Sequence, residues 1–138
     1  MIEIRYIQAN DNNFWDYIEK HFPLKGYDKK EHNIEGYVLL NDNEPIGILR
    51  FDLVWDSIPL CTMVVVDEKF QGQNFETMLM QHWESDMKTQ GYHILLMSTH
   101  PEDGILHIYK EQGYKECECL NGTIRKHTTE LFLIKDNI

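Results

Sequence analysis

The chain has 138 residues, 42% of them hydrophobic and 12% aromatic, which suits one packed domain over residues 1–138 and excludes a disordered protein. Thirteen basic against twenty-three acidic residues give a formal charge of −10, unsuited to non-specific binding of nucleic acid or an anionic membrane surface. No apolar run approaches the ~20 residues of a membrane span, and the first residues lack the basic flank and apolar core of a signal peptide, so a cytoplasmic protein is expected.

Residues 2–8 alternate apolar and polar side chains and predict a half-buried strand. Asn10 and Asp11 offer N-caps to an amphipathic helix carrying Phe14, Tyr17, Ile18 and Phe22, which Pro23 and Gly26 end. After a polar connection over 27–35 come three strands in an antiparallel meander. G-Y-V-L-L turns through N-D-N-E into P-I-G-I-L-R-F-D-L-V-W-D, and a second turn over Asp56–Pro59 leads into L-C-T-M-V-V-V. From Asn74 to Gln90 the period changes: Phe75, Met78, Leu79, His82, Trp83 and Met87 are expected on one helical face, with Gly91 as the C-terminal cap. Y-H-I-L-L-M-S-T reads as a buried strand, D-G-I-L-H-I-Y-K-E-Q-G as a short helix, and Y-K-E-C-E-C-L and T-E-L-F-L-I-K as closing strands. The order predicts an α/β fold, more closely an α+β mixed sheet of about seven strands with helices on both faces. Within it the unit over 60–98 makes two parallel strands joined by a right-handed crossover. Cys61, Cys117 and Cys119 have no C-x-x-C spacing and are expected as reduced core or strand residues.

The segment V-V-V-D-E-K-F-Q-G-Q-N-F-E-T-M-L-M joins a strand to a helix through a loop containing Gly72. A helix N-terminus offers unpaired amides and a positive dipole end to an anion, while a plain structural turn is the commoner explanation of one glycine. Val66 to Glu76 (V-D-E-K-F-Q-G-Q-N-F-E) resembles the V-x-P-x-Y-R-G-x-G-x-G/A signature of the GNAT superfamily of acyl-CoA N-acyltransferases, and I-Y-K-E-Q-G-Y at Ile108–Tyr114 resembles that family's L-Y-x-x-x-G-F. G-I-L-R-F-D-L-V-W-D-S-I-P at Gly47–Pro59, M-S-T-H at Met97–His100 and E-L-F-L-I-K at Glu130–Lys135 narrow the resemblance to a bacterial subgroup.

The resemblance implies a GNAT fold with its sheet splayed between the fourth and fifth strands, acetyl-CoA as co-substrate and a primary amine, on a small molecule or a peptide, as acceptor. Backbone at Val64, Val65 and Val66 would pair with the cofactor's amides, and the pyrophosphate would meet the turn Gln71, Gly72, Gln73, Asn74, Phe75 and Glu76. Tyr109 would protonate the departing thiolate; a packed aromatic is the alternative for that residue. Dimers are common among relatives, so the resemblance also implies a homodimer, with the final strands available to pair across its interface.

The loop departs from the family at Asn74 and Glu76, where relatives carry glycine, and at Gln73, often basic in relatives. Asn tolerates positive φ, so Asn74 is expected to keep the turn. Glu76 is stabilised by the helix dipole and is expected to occupy or repel the phosphate position, which weakens coenzyme A binding. From Glu31 to Glu68 eight acids face the single base Arg50. A solvated surface explains most such excesses, but Asp52 and Asp56 flank Trp55 on a segment that borders the acceptor pocket in relatives. An acidic, aromatic-lined site would favour a cationic amine, so Asp52 and Trp55 are substrate-binding candidates. Asp56, Asp52 and His100 are alternative general bases, as is a relayed water. His93, His100 and His107 recur every seven residues but fall on different elements, so no metal site is expected. The rival reading is a catalytically silent module of the same fold that has lost or weakened coenzyme A binding.

Overall fold

A computed structural model describes residues 1–8, 11, 16, 20, 35–101, 104–121 and 129–138. The strands are β1 (Ile2–Ile7), β2 (Glu35–Asn41), β3 (Glu44–Val54), β4 (Ile58–Val66), β5 (Ile94–Thr99), β6 (Lys115–Asn121) and β7 (Thr129–Asp136). Helix α1 (Phe75–Thr89) lies between β4 and β5, preceded by a 3-10 turn at Glu68–Phe70, and α2 (Leu106–Glu111) lies between β5 and β6. The helix expected over 13–22 and the connection over 27–35 fall almost entirely outside the described residues.

The strands form one seven-stranded sheet in the order β1-β2-β3-β4-β5-β7-β6. All neighbours are antiparallel except β4 and β5, the pair joined by the α1 crossover. The β2–β3 link uses Asp42 and Asn43 at φ 49° and 70°, the doubly left-handed turn that matches strand twist. The next turn comes earlier than the sequence suggests. Trp55 and Asp56 take φ 52° and 54°, the Ser57 amide donates to the Val54 carbonyl at 3.0 Å, and Pro59 is already in β4, paired with Leu53. A proline near a strand start, ahead of the first β4–β5 pair at Leu60, removes no bond from that ladder.

One face of the sheet packs against α1 through Phe75, Leu79, Met80, Trp83 and Met87. The expected stripe is therefore rotated: Met80 is buried, whereas Met78 and His82 are exposed. At about 100° per residue, Leu79, Met80, Trp83 and Met87 span one arc, and Met78 and His82 fall beyond its other edge. Trp83 meets Phe51 at 6.0 Å between ring centroids, and Phe51 stacks on Tyr37. Gly91 at φ 98° ends α1: its amide donates to the Lys88 carbonyl and the Tyr92 amide to that of Met87, each at 3.0 Å. On the other face Ile7, Val38, Leu40, Ile48 and Met63 make a second cluster.

Leu79 has no exposed surface. Leu79→Ala should cost about 2–5 kcal/mol in urea unfolding, as expected for a large side chain removed from a packed core; a loss under about 1 kcal/mol would contradict the packing described. Alkaline titration reads the same core. Burial pushes the Cys61 thiol up from 9.0 to about 12. Burial raises Tyr37 and Tyr114 as well, reinforced by Asp86 and Glu84 respectively. These groups stay protonated when folded and ionise when unfolded, so their contribution is complete below the unfolded values and is lost as pH rises toward 12. Urea midpoints should be level up to about pH 9 and fall above it; midpoints that stay level to about pH 11.5 would contradict the burial of these groups.

Candidate functional site

The site begins with one extra residue in β4. Arg50 pairs with Met63 and Phe51 with Cys61, so Thr62 is left over as a β-bulge, its hydroxyl donating to the Arg50 carbonyl at 3.3 Å. A bulge bends its strand and increases local twist. Cys61 is also the last residue of β4 paired with β5: the parallel ladder consists of Leu60↔Leu96 and Cys61↔Met97. Beyond the bulge β4 remains paired with β3, from Met63 to Val66, and β5 remains paired with β7 as far as Thr99. The inner edges of the two strands thus separate, and the β4 edge from Met63 to Val66 is left outside any β4–β5 ladder.

The opening continues into a cleft of about 610 Å³, within the range of small-molecule and cofactor sites. Val64, Val65 and Val66 form its floor, and Gln71, Gly72, Asn74, Glu76 and Thr77 one wall. Gly104, Ile105, His107, Ile108 and Glu111 form the other. The first wall is shaped by the backbone. Asp67 caps the 3-10 turn through a 3.0 Å bond from the Lys69 amide, Gln71 donates its side-chain amide to the Val66 carbonyl at 3.1 Å, and Gly72 takes φ 81°. Asn74 adopts the left-handed conformation, φ 65° and ψ 20°, and makes no side-chain cap. The first intrahelical bond runs from the Met78 amide to the Asn74 carbonyl, so the amides of Phe75, Glu76 and Thr77 precede the ladder.

Glu76 does not cap those amides. Glu76 lines the cleft and its carboxylate has no hydrogen bond or ion pair among the described residues. Its stabilisation is the dipole interaction alone, about 0.3–1 kcal/mol near a surface.

The two walls are braced to each other behind the cleft. Tyr114, just beyond α2, donates to Glu84 Oε1 of α1 at 2.8 Å, and Lys135 Nζ of β7 meets Glu84 Oε2 at 3.0 Å. The same ammonium lies 5.6 Å from the Tyr114 ring centroid. Tyr109 is 2% exposed and edge-on to Tyr114 at 6.4 Å. With Cys61 and Met97 it belongs to the core cluster under the point where β4 and β5 part.

Seven of the nine residues named for the cofactor therefore line one cleft; Gln73 and Phe75 do not, Gln73 being exposed and Phe75 turned into the core. Tyr109 faces inward from α2, and the cleft wall is made by its neighbours Ile108 and His107. His100 is half-buried just after β5, at the open end of the splay. Asp52, Trp55 and Asp56 are not brought there. They are exposed near the β3–β4 turn, Trp55 at 83%; Asp52 pairs with Leu60, about 13 Å along β4 from Val64 at the usual rise, and the turn residues Trp55 and Asp56 lie farther off. Among the described residues no three His, Cys, Asp or Glu side chains converge as a metal site requires.

Thr77, Gly104, Ile105, His107, Ile108 and Glu111 were not legible as wall residues. The available signal was helical period: if Tyr109 points inward, His107, Ile108 and Glu111 lie off its face. Glu130 was missed too. It is a buried carboxylate on β7 that accepts from the Ser98 hydroxyl, and strand alternation puts both on the sheet face opposite α1.

Comparison with known proteins agrees with this geometry. A GNAT family acetyltransferase from Elizabethkingia anophelis, solved with acetyl-CoA bound, superposes with a TM-score of 0.73 at 17% identity, over 98% of this chain and 97% of its own. An N-acetyltransferase from Staphylococcus aureus Mu50 gives 0.79 at 16% identity, over 99% and 97%. The ribosomal-protein-S18-alanine N-acetyltransferase of Escherichia coli gives 0.74 at 14% identity, over 99% and 94%. These similarities establish a shared GNAT fold. No curated protein matches by sequence. Residues 3–114, most of the chain, match the acetyltransferase (GNAT) family, and the chain therefore belongs to that family.

Proposed function

We propose that this protein transfers an acetyl group from acetyl-CoA to a primary amine. The observation that carries the proposal is the β4 edge left open beyond Cys61, which ends in a cleft at an uncapped helix N-terminus. Such an edge can pair with the amides of an extended pantetheine arm as it would with another strand. The residues suit the cofactor in shape: Val64–Val66 would hold the arm, Ile105 and Ile108 would cover it, and the turn from Gln71 to Glu76 would border its pyrophosphate. When bound, acetyl-CoA supplies the thioester whose carbonyl carbon the neutral amine attacks. A C–N bond forms, the C–S bond breaks, the nitrogen gives up a proton and the sulfur takes one.

Tyr109 is the proposed donor of the proton to sulfur, since a phenol is protonated at neutral pH and its neighbours Ile108 and His107 line the cleft. The acceptor class rests on chemistry alone, because Asp52, Trp55 and Asp56 lie at the other end of β4. A second reading, a binding module without turnover, is favoured by Glu76 and Glu111 in the cleft wall.

Release of free thiol from acetyl-CoA in the presence of a panel of primary amines tests the proposal. Amine-dependent release is expected, and its absence with every amine, while the cofactor still binds, would favour the binding module. Tyr109→Phe should lower kcat by about 10²-fold, the low end for a general acid, and leave cofactor affinity unchanged. Parallel losses of turnover and affinity would make Tyr109 a packing residue.

A further inference from the structure

The charged groups lining the cleft are Glu76 on α1 and His107 and Glu111 on α2; among the described lining residues there is no lysine or arginine. Lys69 sits outside it, exposed on the 3-10 turn, and Lys110 points to Glu116 at 3.5 Å. A polyanion bound there would meet two carboxylates and no lysine or arginine among the described lining residues. Its attraction to the uncapped α1 amides is opposed at the same turn by the carboxylate of Glu76. Everything else on the walls is neutral: the backbone edge of Val64–Val66, the apolar Ile105 and Ile108, and the amides of Gln71 and Asn74. These groups suit the uncharged part of an acyl donor.

We infer that the cleft selects its acyl donor through the pantetheine arm and not through the phosphates, so that pantetheine thioesters without the nucleotide are donors of comparable quality to acetyl-CoA. This rests on the acetyl-transfer reading of the same cleft. It reverses the usual electrostatic dependence: where phosphates carry binding, salt weakens it, whereas here salt would screen the repulsion by Glu76 and Glu111.

Calorimetric titration of the whole chain with acetyl-CoA and with S-acetylpantetheine decides the matter. The two dissociation constants should agree within about threefold, and that of acetyl-CoA should hold or tighten between about 20 mM and about 300 mM salt. Glu76→Gln with Glu111→Gln should tighten acetyl-CoA by about threefold or more and leave S-acetylpantetheine unchanged, which also reports that the variant is folded. Acetyl-CoA binding more than about thirtyfold tighter than S-acetylpantetheine, and loosening with salt, would overturn the inference and leave acetyl transfer standing. Failure of both thioesters to bind would overturn the acyl-donor reading itself and the inference with it.

Discussion

The bulge at Thr62 is the constraint on which the site depends. Up to Cys61, β4 is an interior strand paired on both sides; one residue later it keeps β3 and loses β5. The cost of losing β5 is confined to a few backbone groups, because β5 goes on pairing with β7 and β4 with β3. Those groups form the hydrogen-bonding edge of a cleft, so the irregularity that ends the parallel ladder also creates the surface an extended ligand can join. A bulge next to a functional site is a common use of this device.

A splay of this kind holds its shape only if its two arms are tied elsewhere. Glu84 supplies the tie, receiving Tyr114 from beyond α2 and Lys135 from β7 while itself standing on α1. Lys135 and Glu84 are both largely shielded, so salt screens their attraction less than that of an exposed pair. Burial of Tyr114, with the Glu84 charge beside it, keeps its phenol protonated and donating. Floor and first wall thus come from β4 and the start of α1, the second wall from α2, and the brace reaches from α1 to Tyr114 and to β7.

Much of this was legible in the sequence, for identifiable reasons. The alternation at residues 2–8, the N-D-N-E turn and the glycine after Gln90 are local signals, and the strands and helix they mark are where the sequence puts them. Asn74 was legible as a left-handed residue because its side chain tolerates that backbone. The inward register of α1 was off by one column, since Met78 and His82 lie just beyond the arc that also admits Met80, and periodicity alone cannot choose between the two edges. The loop residues of the cleft were readable because they form a contiguous motif. The opposite wall was not, because Gly104, His107 and Glu111 carry no motif of their own and are brought there only by how α2 packs. Asp52, Trp55 and Asp56 were read from composition as bordering an acceptor site, and they stand exposed by the β3–β4 turn, outside the cleft floored by Val64–Val66.

The central claim is that the β4 edge beyond Thr62 is the ligand-pairing surface, and amide hydrogen exchange tests it most directly. Exchange at residues 62–66, followed by NMR with and without saturating coenzyme A, should show slowing of about tenfold or more at β4 amides that face β5, while amides paired with β3 change little. Slowing elsewhere in the chain with this edge unchanged would contradict the account.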